Sequence, residues 1–197
     1  MTIHLIHGIH TSARDLEVRG LIPYLERTGL EVAYPEYGFI LGIETRRVNA
    51  MIVGTLLPYI KPGDIIVGHS NGCAIAYDLT RAGAEPVGLV LIHAALDRLI
   101  SLHASIRWCD VYFNEDDTIT EAARIGAKLG ITDPSWGEMG HAGYGGIDGR
   151  VTNIDDKHTR GLPECRGHSP EFEPQNLPAW GEYIAGKIWN HLDKGVK

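Results

Sequence analysis

The stretch DIIVGHSNGCAIAY, residues 64–77, decides how this chain is expected to fold. Its apolar run, Ile65 to Val67, is typical of a strand buried on both faces, and Asn71 to Ala82 follows with helical periodicity. Ser70 stands between them, with one glycine two residues before it and another two residues after it. A serine that only capped the helix would need neither glycine. The stretch therefore predicts a sharp strand–turn–helix that lifts the Ser70 side chain above the sheet edge.

The G-x-S-x-G pattern in this context is typical of a nucleophile elbow. Bulky side chains at positions 68 and 72 would collide with the neighbouring strand and helix, and glycine removes that collision. The amide of Asn71 is expected to point its N–H into the space beside Ser70, near the positive end of the helix, where an oxyanion could bind. The alternative is a glycine-rich loop in which Ser70 serves only as the helix N-cap.

Short apolar runs of the same kind recur along the chain and alternate with helical segments. The predicted strands are Ile3 to Ile6, Val32 to Tyr34, Ile65 to Val67, Val87 to Ile92, Val111 to Phe113 and Val151 to Ile154. The predicted helices are Leu16 to Arg27, Arg46 to Ile60, Asn71 to Ala82, Thr120 to Leu129 and Pro178 to Leu192. This alternation predicts a mainly parallel sheet with helices on both faces. Ile131 to Arg150 breaks the rhythm and is predicted to be a long ordered loop.

An acid and a base must lie downstream if Ser70 is to react, because a serine hydroxyl is a poor nucleophile until a base takes its proton. After an elbow of this kind the chain order is serine, then an acid, then histidine. The turn that follows Val111 to Phe113 carries Glu115, Asp116 and Asp117. Asp117 is favoured because it lies directly ahead of the next helical segment, and Asp116 is its close rival. A solvated turn whose acids only cap the helix is the alternative.

Ten histidines offer several candidates for the base. His168 is favoured, because it stands in a loop that precedes the final helix. His158 and His141 are the alternatives, and the charged neighbours of His158 indicate solvent. His93 ends a predicted strand, and we expect it in the core or near the site.

Two further segments are predicted to contribute to the site. His7-Gly8 ends the first strand, and a glycine there lets the backbone approach a substrate, so that the amide of Ile9 supplies a second oxyanion donor. An ordinary turn is the alternative. Ser135 to Gly146 is too apolar for a solvated loop, and we expect it to pack over or beside Ser70.

Within that segment, Trp136, His141 and Tyr144 are predicted to line the substrate pocket, with His141 as a wall or hydrogen-bond donor. The alternative is an ordered structural loop on the side of the protein.

Composition bounds the class of protein. The 197 residues suit one domain, residues 1–197, with residues 131–150 as an ordered insertion near the site. A net charge of −7 argues against a nucleic-acid partner. The sequence shows no signal peptide and no apolar stretch long enough to span a membrane. Three cysteines without C-x-x-C spacing indicate reduced thiols and a cytoplasmic location.

These features together resemble the α/β-hydrolase superfamily, and more closely its small single-domain esterases and lipases that lack a large lid. Thr2 to Ile6 resembles the third strand of that family, His7-Gly8 its oxyanion motif, Gly68 to Gly72 its elbow, and GHSPEFEPQNLPAW, residues 167–180, its histidine loop. The resemblance covers nearly the whole chain. It implies a three-layer α/β/α sandwich of about six parallel strands, without the usual first hairpin.

The same resemblance implies a serine hydrolase. Ser70 would be the nucleophile, Asp117 the acid and His168 the base, with the amides of Ile9 and Asn71 as the oxyanion hole. The expected reaction is hydrolysis of a small carboxylic ester through an acyl-enzyme, and no metal or organic cofactor is implied. Thioester cleavage, acyl transfer, and a binding or sensing protein with little turnover are the alternatives. The oligomeric state stays open.

Overall fold

A computed structural model describes residues 1–8, 18–35, 37, 45–129 and 136–195 of the chain. Within these residues six strands form one sheet in the order β2-β1-β3-β4-β5-β6, and every pair of neighbours is parallel. The strands are β1 (Thr2–Ile6), β2 (Glu31–Ala33), β3 (Ile65–His69), β4 (Gly88–Ile92), β5 (Trp108–Phe113) and β6 (Val151–Asp155). All six predicted strands and the parallel architecture are confirmed.

Helices connect the strands and cover both faces of the sheet. They are α1 (Ile22–Leu25), α2 (Thr45–Leu56), α3 (Asn71–Arg81), α4 (Thr118–Lys128), α5 (Met139–Ala142) and α6 (Leu177–Gly195). Two apolar cores result. One packs α2 and α3 against one face of the sheet, and the other packs α6 and the region of α1 against the opposite face. The continuous apolar runs of β3 and β4 are therefore buried on both sides, as strands between two helical layers must be.

Two of the predicted elements differ in the structure. The helix expected over Leu16 to Arg27 is a series of short turns from residue 18 to residue 28, of which only α1 is α-helical. Pro23 stands at the start of α1, and because proline has no N–H to continue a preceding helix, it begins a new turn there. The segment expected as loop contains α5, while residues 130–135 lie outside the described part of the chain.

The three cysteines, Cys73, Cys109 and Cys165, are buried and free. Among the described residues, no helix is both long enough and apolar enough to cross a membrane.

Candidate active site

The turn between β3 and α3 has the geometry of a nucleophile elbow. Ser70 has φ 55° and ψ −122°, a conformation that a non-glycine residue adopts at a cost of about 1–3 kcal/mol. Its amide donates to the carbonyl oxygen of Ile92 at 3.0 Å, and its own carbonyl oxygen accepts from the amide of Ala95 at 3.2 Å. These bonds fix the turn to the end of β4, and the surrounding structure thereby maintains the strained conformation.

The glycines on either side of Ser70 permit the close packing of this turn. A Cβ atom at Gly72 would lie 2.2 Å from the carbonyl oxygen of Ile6, and one at Gly68 would lie 2.9 Å from the amide nitrogen of Cys73. Gly8 is also required, because its Cβ would lie 2.9 Å from the Ser70 Cβ. The backbone after β1 therefore runs directly beside the serine. Ile9 lies outside the described residues.

The acid and the base predicted downstream meet in the structure. Both carboxylate oxygens of Asp117 lie 3.0 Å from Nδ1 of His168. Asp117 is fully buried, whereas the His168 side chain is 12% exposed. Burial opposes the charge of Asp117, but hydrogen bonds from His168 and His93 outweigh it and hold its pKa well below its usual range. Asp117 is therefore ionised, and it accepts the Nδ1–H of His168.

Asp117 also caps a helix. The same side chain therefore both begins α4 and contacts the histidine proposed as the base. Its Oδ1 accepts from the amides of Ile119 and Thr120 at 3.2 and 3.1 Å, at the start of α4. The rival acids point elsewhere: Glu115 and Asp116 both pair with Lys157, at 2.6 and 3.0 Å.

The alternative histidines lack an acid partner of this kind. His158 is exposed on the turn after β6. His141 is half-buried in α5, and its Nδ1 has no hydrogen-bond partner among the described residues. Only His168, of the three histidines considered for the base, has its Nδ1 against a buried carboxylate.

His69 joins the His168 loop to the elbow. Its Nε2 lies 3.2 Å from the carbonyl oxygen of His168 and 3.2 Å from Oγ of Ser169, and the His69 and His168 rings are 5.0 Å apart. Burial first, and then the neighbouring His168 and His93, lower the pKa of His69 to about 3. A neutral His69 that donates from Nε2 therefore holds the loop of His168 next to Ser70.

Asn71 begins α3, and its side chain is held away from the serine. Asn71 and Asn49 exchange amide hydrogen bonds of 2.9 Å in both directions, and Nε1 of Trp136 donates to Oδ1 of Asn71 at 3.0 Å. All three side chains are buried. The first N–H groups of a helix have no partner within it. The amide of Asn71 is thus presented beside Ser70 on a firmly held residue, and Trp136 contacts that residue through its ring nitrogen.

The structure does not support the prediction that Tyr144 lines the substrate pocket. Oδ1 of Asn153 accepts from the Tyr144 amide at 2.8 Å, and Nδ2 of Asn153 donates to the Tyr144 carbonyl oxygen at 2.9 Å. The phenol neighbours Cys109 and Arg150, at the amino ends of β5 and β6. Because Ser70 follows the carboxyl end of β3, the structure does not bring Tyr144 to it.

Three buried residues near Asp117 were not assigned to the site from the sequence. Nδ1 of His93 lies 3.0 Å from Oδ2 of Asp117, and its Nε2 lies 2.8 Å from Oδ2 of Asp156 and 2.8 Å from Oε1 of Glu171. Among the described residues, two overlapping groups of side chains have nitrogen and oxygen atoms close enough together to bind a metal ion. One is His93, Asp117 and His168, and the other is His93, Asp156 and Glu171. His93 and Asp156 each directly follow a strand, β4 and β6, and this position is the sequence signal that could have indicated them.

No protein-family model matches the chain, and no curated protein is similar to it in sequence. Solved structures do resemble it. Mouse alpha/beta hydrolase domain-containing protein 10 is 11% identical with a TM-score of 0.62, over 98% of this chain and 90% of the mouse chain. A monoacylglycerol lipase from Paleococcus ferrophilus is 12% identical with a TM-score of 0.54, over 96% and 94%.

A protein from Xanthomonas campestris pv. campestris, assigned to the alpha/beta hydrolase superfamily, is also similar. It is 16% identical with a TM-score of 0.56, and the match covers 98% of each chain. Together these similarities establish that the chain has the α/β-hydrolase fold.

Proposed function

We propose that this chain is a serine hydrolase that cleaves carboxylic esters through an acyl-enzyme. The observation that carries the proposal is the contact of His168 Nδ1 with both oxygens of the buried Asp117, in a loop that His69 ties to the strained Ser70 turn. A strained serine between required glycines, in a turn that His69 joins to the loop of a histidine oriented by an ionised acid, is an arrangement suited to nucleophilic catalysis.

In the proposed reaction, His168 takes the Ser70 proton at Nε2 as Ser70 attacks the ester carbonyl. The ionised Asp117 keeps the proton of His168 on Nδ1, and this leaves Nε2 free to act as the base. The Asn71 amide stabilises the oxyanion, and the Ile9 amide is proposed as its partner; such a donor contributes about 2.7–4 kcal/mol to the transition state. His168 then protonates the leaving alcohol, and water repeats the cycle on the acyl-enzyme.

The proposed substrate is a small ester. A cavity of about 360 Å³, lined by His168, Ser169 and Phe172 among others, adjoins the proposed base and is suited to the leaving group. Trp136 and His141 are proposed to shape the acyl side from behind Asn71 and from α5. Three buried free cysteines support a reduced, cytoplasmic setting, and the single sheet supports one domain over residues 1–197.

A fluorophosphonate probe tests the proposal directly. The wild-type protein should become covalently labelled and should hydrolyse a short p-nitrophenyl ester. Ser70→Ala should abolish both while leaving the circular dichroism spectrum unchanged. Ser105→Ala is the matched control, because this serine only bonds His103 ahead of β5, and it should be labelled as fast as the wild type.

Two outcomes would contradict the proposal in different ways. Turnover retained by Ser70→Ala would exclude Ser70 as the nucleophile. Labelling without turnover of oxygen esters or thioesters would indicate a binding or sensing protein instead of a hydrolase. Faster turnover of thioesters than of oxygen esters would keep the mechanism and change the substrate.

A further inference from the structure

A second histidine contacts the proposed catalytic acid from within the core. His93 is fully buried, and its Nδ1 lies 3.0 Å from Oδ2 of Asp117. The same oxygen lies 3.0 Å from Nδ1 of His168, so two imidazole rings share one carboxylate. The centroids of the two rings are 5.8 Å apart, and the ring planes are inclined by 65°. Only His168 is needed for the proposed reaction, and the role of the second ring requires its own explanation.

The other nitrogen of His93 also faces carboxylates. Its Nε2 lies 2.8 Å from Oδ2 of Asp156 and 2.8 Å from Oε1 of Glu171, and all three side chains are fully buried. Two ligands of a tetrahedral zinc ion, each about 2.1 Å from it, would lie about 3.4 Å apart. Both observed separations are shorter than that, and the one to Glu171 is a hydrogen bond, so a proton accounts for it better than a metal ion does.

Each nitrogen of His93 thus has a carboxylate oxygen at hydrogen-bond distance, Asp117 at Nδ1 and Glu171 at Nε2. Asp117 is ionised and can only accept, so Nδ1 must donate to it. Asp156 and Glu171 crowd a single Nε2, and two adjacent carboxylates without solvent repel each other unless one is protonated. Burial, followed by the adjacent Glu171, raises the pKa of Asp156. Burial also acts to raise the pKa of Glu171, but the charge of His93 and the contact with Asp156 outweigh it and lower that pKa. One proton thus stays on Asp156, and Glu171 accepts from Nε2.

We infer that His93 is a positioning residue of the proposed hydrolase, a permanently charged imidazolium held by Asp156 and Glu171 that fixes Asp117 for His168. This inference rests on the proposed function. It assigns the cluster a net charge of −1, from one imidazolium, two carboxylates and one neutral carboxyl. His93 follows β4 at φ 47°, where the backbone is restricted, and this fixes its ring relative to the acid.

The surroundings of His93 support its charge. Burial alone would lower the pKa of His93, but Glu171, Asp117 and Asp156 outweigh burial and raise it well above 6.5. Among the described residues, the rings of His168 and the neutral His69 also lie near His93. The Cys165 thiol and the Tyr112 phenol lie near Glu171, and burial raises the pKa of both, so neither adds a charge.

The residue of α5 that contacts His93 and Asp117 is a glycine, which carries no charge. The helix meets the cluster through Gly140, whose Cβ would lie 2.6 Å from the His93 carbonyl carbon and 2.8 Å from Oδ2 of Asp117. Glycine lets this helix seal the cluster from water.

The consequence for catalysis concerns the pH range of the base. A positive charge 5.8 Å from the His168 ring disfavours a second positive charge there. Loss of the His93 charge should therefore move the pH profile of the proposed reaction to higher pH.

Nuclear magnetic resonance tests the protonation without any substrate. In the assigned ¹⁵N-histidine spectrum of the wild-type protein, both ring nitrogens of His93 should carry a proton throughout pH 6 to 8. A His93 ring with one unprotonated nitrogen, or a stoichiometric metal ion bound to the purified protein through His93, would overturn the inference. This result does not depend on Ser70, so a protein that fails to label with fluorophosphonate leaves it readable.

A variant tests the catalytic consequence. His93→Asn keeps an N–H near the Nδ1 position and suits a positive φ, but it removes the charge. The pH at half-maximal fluorophosphonate labelling should rise by about one unit. Glu85→Gln is the control, because this exposed residue precedes β4, at the opposite end of the strand from His93, and should leave the midpoint unchanged. A lower rate with an unchanged midpoint would show a merely structural role and overturn the inference.

Folding of the variant needs a safeguard, because His93→Asn leaves a buried carboxylate without its counter-charge. The double variant His93→Asn with Glu171→Gln removes that carboxylate as well. If the single variant does not fold, the double variant carries the same test, with the same expected rise in the midpoint.

Discussion

A methyl group added at Gly72 should separate two parts of the site that must touch. The Cβ of Gly72→Ala would lie 2.2 Å from the carbonyl oxygen of Ile6 and 2.7 Å from that of His7. These are backbone atoms of β1 and its exit, which cannot rotate away, so the strand end and α3 must move apart by about 1 Å to restore ordinary contact. Forced overpacking of this kind costs about 1–3 kcal/mol or more.

A second glycine provides the matched control. Gly186 lies in α6, is exposed, and has no atom within 4 Å of its Cβ position. Alanine there gains about 0.5–1 kcal/mol, because glycine costs that much in a helix interior. The same chemical change should therefore stabilise at one position and destabilise at the other. With a response of about 2–4 °C per kcal/mol for a chain of this size, a difference of about 1.5–4 kcal/mol should separate the two variants in Tm by about 3–16 °C.

Thermal and urea unfolding measure the stability difference, and fluorophosphonate labelling measures the site. Because Gly8 touches Ser70, a shift of the β1 exit by about 1 Å should slow labelling of Gly72→Ala up to about a hundredfold. A Gly72→Ala protein that is as stable as Gly186→Ala and labels at the wild-type rate would refute the argument that these glycines permit close packing.

Three further outcomes are expected. Asp117→Asn should reduce ester turnover by about 10⁴-fold, whereas Asp116→Asn should leave it near the wild-type rate; the reverse ranking would reassign the acid. Trp136→Phe should cost at least about 1 kcal/mol in urea unfolding and should lower kcat, because it removes the bond that holds Asn71 together with part of a buried ring; an unchanged kcat would contradict this. His69 is buried with its pKa lowered to about 3, so the unfolded state binds its proton first and stability falls below pH 6.5. From pH 7.5 to 5 the wild type should therefore lose about 2 kcal/mol that His69→Gln retains, and parallel curves for the two proteins would exclude this role.

The strands and the elbow could be predicted because their signals are local. β3 and β4 are continuous apolar runs since both faces are covered, and the order of residues around Ser70 reflects collisions within a few residues of it. The pairing of Asp117 with His168 was predicted from chain order. The sequence signal was position, because Asp117 follows β5 and immediately precedes α4. A residue at that position caps the helix. Because it also follows the carboxyl end of a strand, one oxygen of its carboxylate can face the edge of the sheet.

Side-chain direction in the Gly-rich segment could not be predicted. The composition of residues 135–146 indicated burial, and Trp136 is indeed buried. It did not indicate which surface each aromatic ring meets. The backbone of Tyr144 is held by hydrogen bonds with the Asn153 side chain on β6, and the Trp136 ring is held by its bond to Asn71. Such choices depend on single polar atoms of distant elements, which periodicity does not report.

The buried cluster around His93 shows a related limit and its physical reason. His93 and Glu171 are 78 residues apart and meet only because the carboxyl ends of parallel strands lie along one edge of the sheet. Ser70, His93, Asp117 and Asp156 follow β3, β4, β5 and β6 closely, so four neighbouring strands each deliver one polar group to that edge. Buried ionic groups rarely add stability over apolar residues of the same size. The position of the His93 cluster against Asp117 is therefore better explained by its effect on the orientation of that carboxylate than by a contribution to stability.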